Sequence, residues 1–219
     1  MTIDESQMRH YSLFDRFLIQ ADTALRTIAG KPLATHRPYP ADNIEDCPLD
    51  AAESRRITGL MRVNHAGEVS AQALYQGQSL TARNDAVREK LEQAAREEND
   101  HLIWTQNRLH ELGGRTSMLN PLWYAGSFSI GVLAGALGDR WNLGFLAETE
   151  QQVVRHLDSH LDQIPACDER SRAILEQMKV DEAGHANTAL DHGGVSLPPP
   201  VKKLMQAMSK AMTRSAYWV

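Results

Sequence analysis

The chain has 219 residues, of which 42% are hydrophobic and 23% charged, enough for one globular domain with a sizeable core and small appendages. A formal net charge of −5, from 23 basic and 28 acidic residues, carries no overall nucleic-acid signature, and no nucleic-acid partner is expected. Two cysteines, Cys47 and Cys167, are too few for a disulfide framework or a thiolate metal site, which makes a reducing compartment the default.

Taken in order, the opening Met1-Thr-Ile-Asp-Glu-Ser is acidic and has no basic start followed by an apolar run, which argues against a cleaved secretion signal. Residues 8–29 place Leu13, Phe14, Phe17, Leu18, Leu25 and Ile28 at helical spacing and stop at Gly30, predicting an amphipathic N-terminal helix. From Lys31 to Leu49, the prolines 32, 38, 40 and 48 and the lack of an apolar period predict an extended strap across the fold. Residues 1–49 are thus read as appendage.

A bundle spans 50–197. Its first helix, about 51–82, puts Ile57, Leu60, Met61, Asn64, Glu68, Ala71 and Tyr75 on one stripe; its second, about 85–112, aligns Leu91, Ala94, Ala95, Glu98, His101, Leu102, Thr105 and Leu109 and stops at Gly113-Gly114. Between Thr116 and Gly138 lie 23 residues without a charge. Their length permits a membrane span, but polar residues, Pro121 and four glycines dilute it, so a short buried or membrane-touching crossover helix is expected. Ser127, Gly131 and Gly135, four apart, would let another helix or a flat ligand approach the backbone.

A further helix, about 140–164, aligns Leu143, Leu146, Glu150, Val153, Val154, Leu157 and Leu161; Glu148 falls off that stripe. The next, about 168–191, aligns Ile174, Leu175, Met178, Glu182, His185, Ala186 and Ala189. Residues 198–219 form a basic tail with Val201, Met205, Met208 and Met212 on one stripe and Tyr217 and Trp218 at its end, a helix suited either to an anionic bilayer or to docking on the bundle.

Two segments organise this pattern: Glu98-Asn-Asp-His101 and Glu182-Ala-Gly-His185. A Glu and a His three apart share a helix face, so carboxylate and imidazole can converge on one cation. Glu68 lies 30 residues before Glu98, and Glu150 lies 32 before Glu182. If each pair sits level on an antiparallel hairpin, the turns fall near 83 and 166, where Ala82-Arg-Asn-Asp85 and Ile164-Pro-Ala-Cys-Asp168 break the apolar pattern. An acid inside an apolar stripe is costly to bury unless paired or bound to metal, and each of four stripes holds one. The fold class expected is all-α: a ferritin-like four-helix bundle with a di-metal carboxylate site, plus N-terminal, crossover and C-terminal helices. The metal candidates are Glu68, Glu98, His101, Glu150, Glu182 and His185. Four carboxylates and two imidazoles without thiolate suit iron or manganese.

Asp181 and Glu97 precede the motif glutamates and are candidates either for orienting the histidines or for solvated helix faces. His65 reads as a core-edge histidine in preference to a ligand, His156 as a group near the site, and His10, His36, His110, His160 and His192 as surface residues. Tyr75 reads as a packed core tyrosine in preference to a radical site.

Leu60-Met-Arg-Val-Asn-His-Ala-Gly-Glu-Val69 resembles the demethoxyubiquinone monooxygenase family, the di-iron hydroxylases of ubiquinone biosynthesis. Glu97-Glu98-Asn-Asp-His101 and Asp181-Glu-Ala-Gly-His185 are similar to that family's paired motifs, and the likeness covers about residues 50–192. At Asn64 the sequence departs from the aspartate of other members. The resemblance implies two iron ions held by Glu68, Glu98, His101, Glu150, Glu182 and His185. It also implies hydroxylation of a polyprenylated methoxy-methyl-benzoquinol by dioxygen and two electrons from a donor left open. The expected setting is peripheral, at the cytoplasmic face of the inner or cell membrane, with the membrane surface as partner; a homo-oligomer or a biosynthetic complex is left open. The alternatives sharing these ligands are a ferritin-like iron-storage protein, a manganese catalase or radical-generating subunit, and a membrane-associated di-iron quinol oxidase.

Overall fold

The computed structural model describes residues 13–29, 32, 33, 35 and 37–219, and among these it contains seven helices and no strand. The helices are α1 (Leu13–Ala29), α2 (Ala51–Thr81), α3 (Asp85–Glu111), α4 (Asn120–Ala136), α5 (Asp139–Leu161), α6 (Glu169–Asp191) and α7 (Pro199–Ala216). The first turn expected for the N-terminal helix, residues 8–12, lies outside the described residues, as do His10 and His36.

Local chemistry sets the helix starts. Asp50 accepts from the backbone N–H groups of Ala52 (2.7 Å) and Glu53 (2.8 Å), while the Glu53 carboxylate accepts from the Asp50 N–H at 3.0 Å. This reciprocal box satisfies donors that the first turn of α2 would otherwise leave unmade. Asn84 caps α3 by accepting from Ala86 N–H, and Asp168 caps α6 by accepting from Ser171 N–H.

α2 with α3, and α5 with α6, form two antiparallel hairpins whose apolar stripes face each other. One cluster, with Ile57, Met61, Trp104, Leu109, Leu157, Ile174 and Met178, fills one end of the bundle; another, with Tyr75, Leu91, Leu143, Leu146 and Ala189, fills the other. Each large side chain so buried contributes roughly 1.5–3 kcal/mol. The four inward acids lie between these clusters.

The crossover helix α4 seats against α2 backbone to backbone. A Cβ at Gly131 would collide with the Leu74 carbonyl, one at Gly77 with the Phe128 carbonyl, and one at Gly135 with the Thr81 hydroxyl. The small-residue repeat therefore serves helix packing. Gly138, at φ 107°, turns the chain directly from α4 into α5. No helix among the described residues is long and apolar enough to cross a membrane.

α7 is docked at both ends: Lys202 Nζ lies 2.7 Å from Glu148, the Tyr217 ring fills the space over Gly59, and Arg62 donates to the Tyr217 carbonyl at 2.7 Å. Glu148 is off the metal-facing stripe, as its spacing predicts, and is nonetheless buried, because a lysine from α7 closes over it. The cysteines differ from expectation. Cys47 on the strap and Cys167 in the α5–α6 turn are joined as a disulfide, so the pair gives no ground for a reducing default.

Candidate metal centre

Glu68 and Glu150 are presented from the middles of α2 and α5, and the two Glu-x-x-His motifs from the middles of α3 and α6. Glu68, Glu98, His101 and Glu182 form one cluster and Glu98, Glu150, Glu182 and His185 a second, in each of which the candidate ligand atoms all lie within 4.8 Å of one another. Glu98 and Glu182 belong to both. His101 Nδ1 stands 3.1 Å from Glu98, 3.2 Å from Glu182 and 3.5 Å from Glu68; His185 Nδ1 stands 3.2 Å from Glu182, 3.6 Å from Glu98 and 3.7 Å from Glu150. The structure thus brings all six sequence-predicted residues to one buried point.

Both histidines turn Nδ1 inward and Nε2 outward. His101 Nε2 donates to Asp181 at 2.9 Å and His185 Nε2 donates to Glu97 at 2.6 Å. A carboxylate can only accept, so Asp181 and Glu97 keep a proton on the outer nitrogen of each ring, and a cation in the cluster would take the place of the proton on the inner one. The acids are exchanged between motifs: the residue preceding each motif's glutamate serves the other motif's histidine. Of the two roles open to Asp181 and Glu97, the geometry selects orientation.

The electrostatics expose what the cluster lacks. Burial, reinforced by Glu182 and Glu68, raises Glu98 well above the carboxylate range. Burial and Glu182 raise Glu150 to about 8. Burial would raise Glu182 too, but hydrogen bonds from His101 and His185 hold it low. For the histidines, burial disfavours a charge, and the surrounding carboxylates outweigh it and push both imidazoles up. Glu98 Oε1 and Glu150 Oε2 are buried with no hydrogen-bond partner. Four carboxylates against two imidazoles leave excess negative charge and orphaned acceptors in a dry interior, a demand that a pair of divalent cations meets. The donor set fits such a pair.

Other singled-out residues fall outside the cluster. Tyr75 is fully buried and its hydroxyl donates to Glu150; burial first, then Glu150, Glu98 and Glu182, pushes that phenol far above its usual range, so it stays a donor. His65 is buried beside Asn120, and burial lowers it to about 4. His160, expected on the surface, is buried: its Nδ1 donates to Asn64 at 2.9 Å and its ring lies 3.9 Å from that of His156. His110 and His192 are exposed. Sequence reasoning did not find Arg37, which pairs with Asp181 at 2.8 Å, because nothing in a proline-rich strap marks one arginine as facing the site.

Beside His185 a cavity of about 100 Å3 opens between Ala94, Leu143, Leu146 and Ala189, with Lys90 and Thr188 at its rim.

Fold and site together define a ferritin-like helical bundle with a dinuclear carboxylate–histidine pocket. Residues 55–216 match the family described as ubiquinone biosynthesis protein COQ7, and the chain belongs to that family. It is 60% identical over 212 residues to the 3-demethoxyubiquinol 3-hydroxylase of Nitrosococcus oceani, covering 96% of this chain and 99% of that one. It is 60% identical over 205 residues to the enzyme of the same name from Nitrosomonas europaea (94% and 98%), and 57% over 212 residues to that from Azotobacter vinelandii (95% and 97%).

Proposed function

We infer that the protein is a hydroxylase of ubiquinone biosynthesis that adds one oxygen atom to the ring of 3-demethoxyubiquinol, with dioxygen as oxidant and two iron ions as cofactor. Glu68, Glu98 and His101 would hold one ion and Glu150, Glu182 and His185 the other, with Glu98 and Glu182 in reach of both. When bound, such a pair supplies the reduction and activation of dioxygen that no side chain can supply. The chain's own groups do the rest. Asp181 and Glu97 hold the two imidazoles in one tautomer and orientation, and the Tyr75 hydroxyl fixes the Glu150 carboxylate. The apolar clusters above and below keep bulk water from the reacting centre.

The cavity beside His185 is where the ring would approach, since it brings apolar walls to the edge of the cluster. It has no room for a polyprenyl tail, which must remain outside. Around that end of the bundle Leu80, Leu133, Leu137, Trp141 and Leu190 are exposed, and they favour peripheral contact with a membrane, in our reading the cytoplasmic face of the cell membrane, where the tail would lie. Replacing Leu133 and Leu137 by Ser is expected to abolish flotation with zwitterionic liposomes; undiminished flotation would place the membrane contact elsewhere.

Two four-residue clusters sharing Glu98 and Glu182, in a chain so close to named hydroxylases, carry this reading. Glu182→Ala removes a group common to both clusters while deleting no apolar contact. It is expected to abolish conversion of the demethoxy quinol, measured by mass spectrometry, while far-ultraviolet circular dichroism stays helical. Full turnover in this variant would remove the site assignment. A storage role would require a large hollow assembly, which size-exclusion chromatography distinguishes from a small hydroxylase oligomer.

A further inference from the structure

The two histidines are held by equivalent acids, but what stands behind those acids differs, and we propose that Arg37, on the proline-rich strap, is a positioning residue for the His101 half of the metal site. The proposal rests on the dinuclear reading above and adds a residue from outside the four-helix bundle.

Asp181 Oδ2 accepts from His101 Nε2 at 2.9 Å and pairs with Arg37 Nη2 at 2.8 Å, while Asp181 Oδ1 accepts from Gln177 at 3.0 Å. Both carboxylate oxygens are thus committed, and the plane of the acid is fixed. Arg37 is held in turn: its guanidinium lies 4.9 Å from the centre of the Trp104 ring, and Trp104 lies 5.3 Å from the His101 ring. Arg37 therefore touches His101's support from two directions, through Asp181 and through Trp104. Two residues earlier on the strap, Thr35 N–H donates to Asp100 at 2.9 Å, so the strap is also tied to the residue next to His101.

Behind His185 the arrangement is different. Glu97 accepts from His185 at 2.6 Å and from Gln93 at 3.0 Å; Arg37 acts on it only as a nearby charge, and no guanidinium is among its hydrogen-bonded partners in the described residues.

Asp181 and Glu97 both border a surface cavity of about 360 Å3, of which Thr35 and Arg37 form one wall. Water there competes for any carboxylate lone pair left open. On the Asp181 side the planar, permanently charged guanidinium occupies that direction, so the bond to His101 keeps one geometry. Loss of such outer support typically costs ten- to a hundredfold in metal affinity, and here it would fall on one ion of the pair.

The test is stepwise titration of the full-length protein with Co2+ alone, followed by calorimetry and by the visible absorption of the bound ion. The wild-type chain takes two ions. Arg37→Gln is expected to weaken one binding step by about tenfold or more and leave the other within about twofold. Arg37→Lys, which keeps charge but not the planar fork, should recover part of the loss. Glu97→Gln should weaken the other step, and the double variant both. A purely structural strap residue would lower the melting temperature and weaken both steps together; that result, or unchanged titration in Arg37→Gln and Arg37→Lys, overturns the proposal while leaving the dinuclear reading intact. A wild-type chain that takes fewer than two ions overturns both.

Discussion

Sliding the α3 motif onto the α6 motif pairs Glu98 with Glu182, His101 with His185, Trp104 with Thr188 and Arg108 with His192. In their ligands the two halves are alike; one turn past the histidines they diverge. Trp104 and Arg108 are each 2% exposed, Trp104 packed in the apolar cluster and Arg108 bonded to Asp168 (2.8 Å) and Ser171 (2.8 Å). Their counterparts, Thr188 and His192, are exposed beside the cavity at His185. The Cys47–Cys167 bond and the His156–His160 pair also lie toward the filled end. A duplicated ligand pattern thus sits in a bundle with one plugged end and one permeable end, and the plug is made of large side chains at positions where the other half has small or polar ones.

Two substitutions break this contrast from opposite sides. Trp104→Ala unplugs the filled end, and with it the support of Arg37 and His101. Urea unfolding should show a loss of about 3–5 kcal/mol, and a change below 1 kcal/mol would mean that the tryptophan is not a packing element. Thr188→Trp copies the plug into the permeable end. Turnover of a short-tailed quinol should fall roughly tenfold, equivalent to about 1.4 kcal/mol in barrier, with two metal ions still bound per chain. Undiminished turnover would mean that the ring arrives by another path.

The helices and the convergence of six side chains were legible because both depend on local information. Asp50 with Glu53, and Asn84, announce helix starts, and matched spacings put four acids level. What was not legible depends on partners far along the chain. His160 reads as polar and external until Asn64, 96 residues away, is placed against its ring. Glu148 reads only as off the stripe until Lys202 arrives from α7, and Cys47 has no mate until the fold brings in Cys167, 120 residues on. Arg37 belongs to the same class: periodicity is silent in a strap without regular structure, so its tie to Asp181 could come only from coordinates.

At Gly77 and Gly131 the glycine seam brings main chain to main chain, so that stretch of the seat of α4 on α2 is set by atoms common to every amino acid. Leu122, Leu133 and Leu137, which point away from that seam, take no part in it. The outer surface of α4 is therefore open to wholesale redesign, and a variant resurfaced there for detergent-free study would keep the interior as it stands.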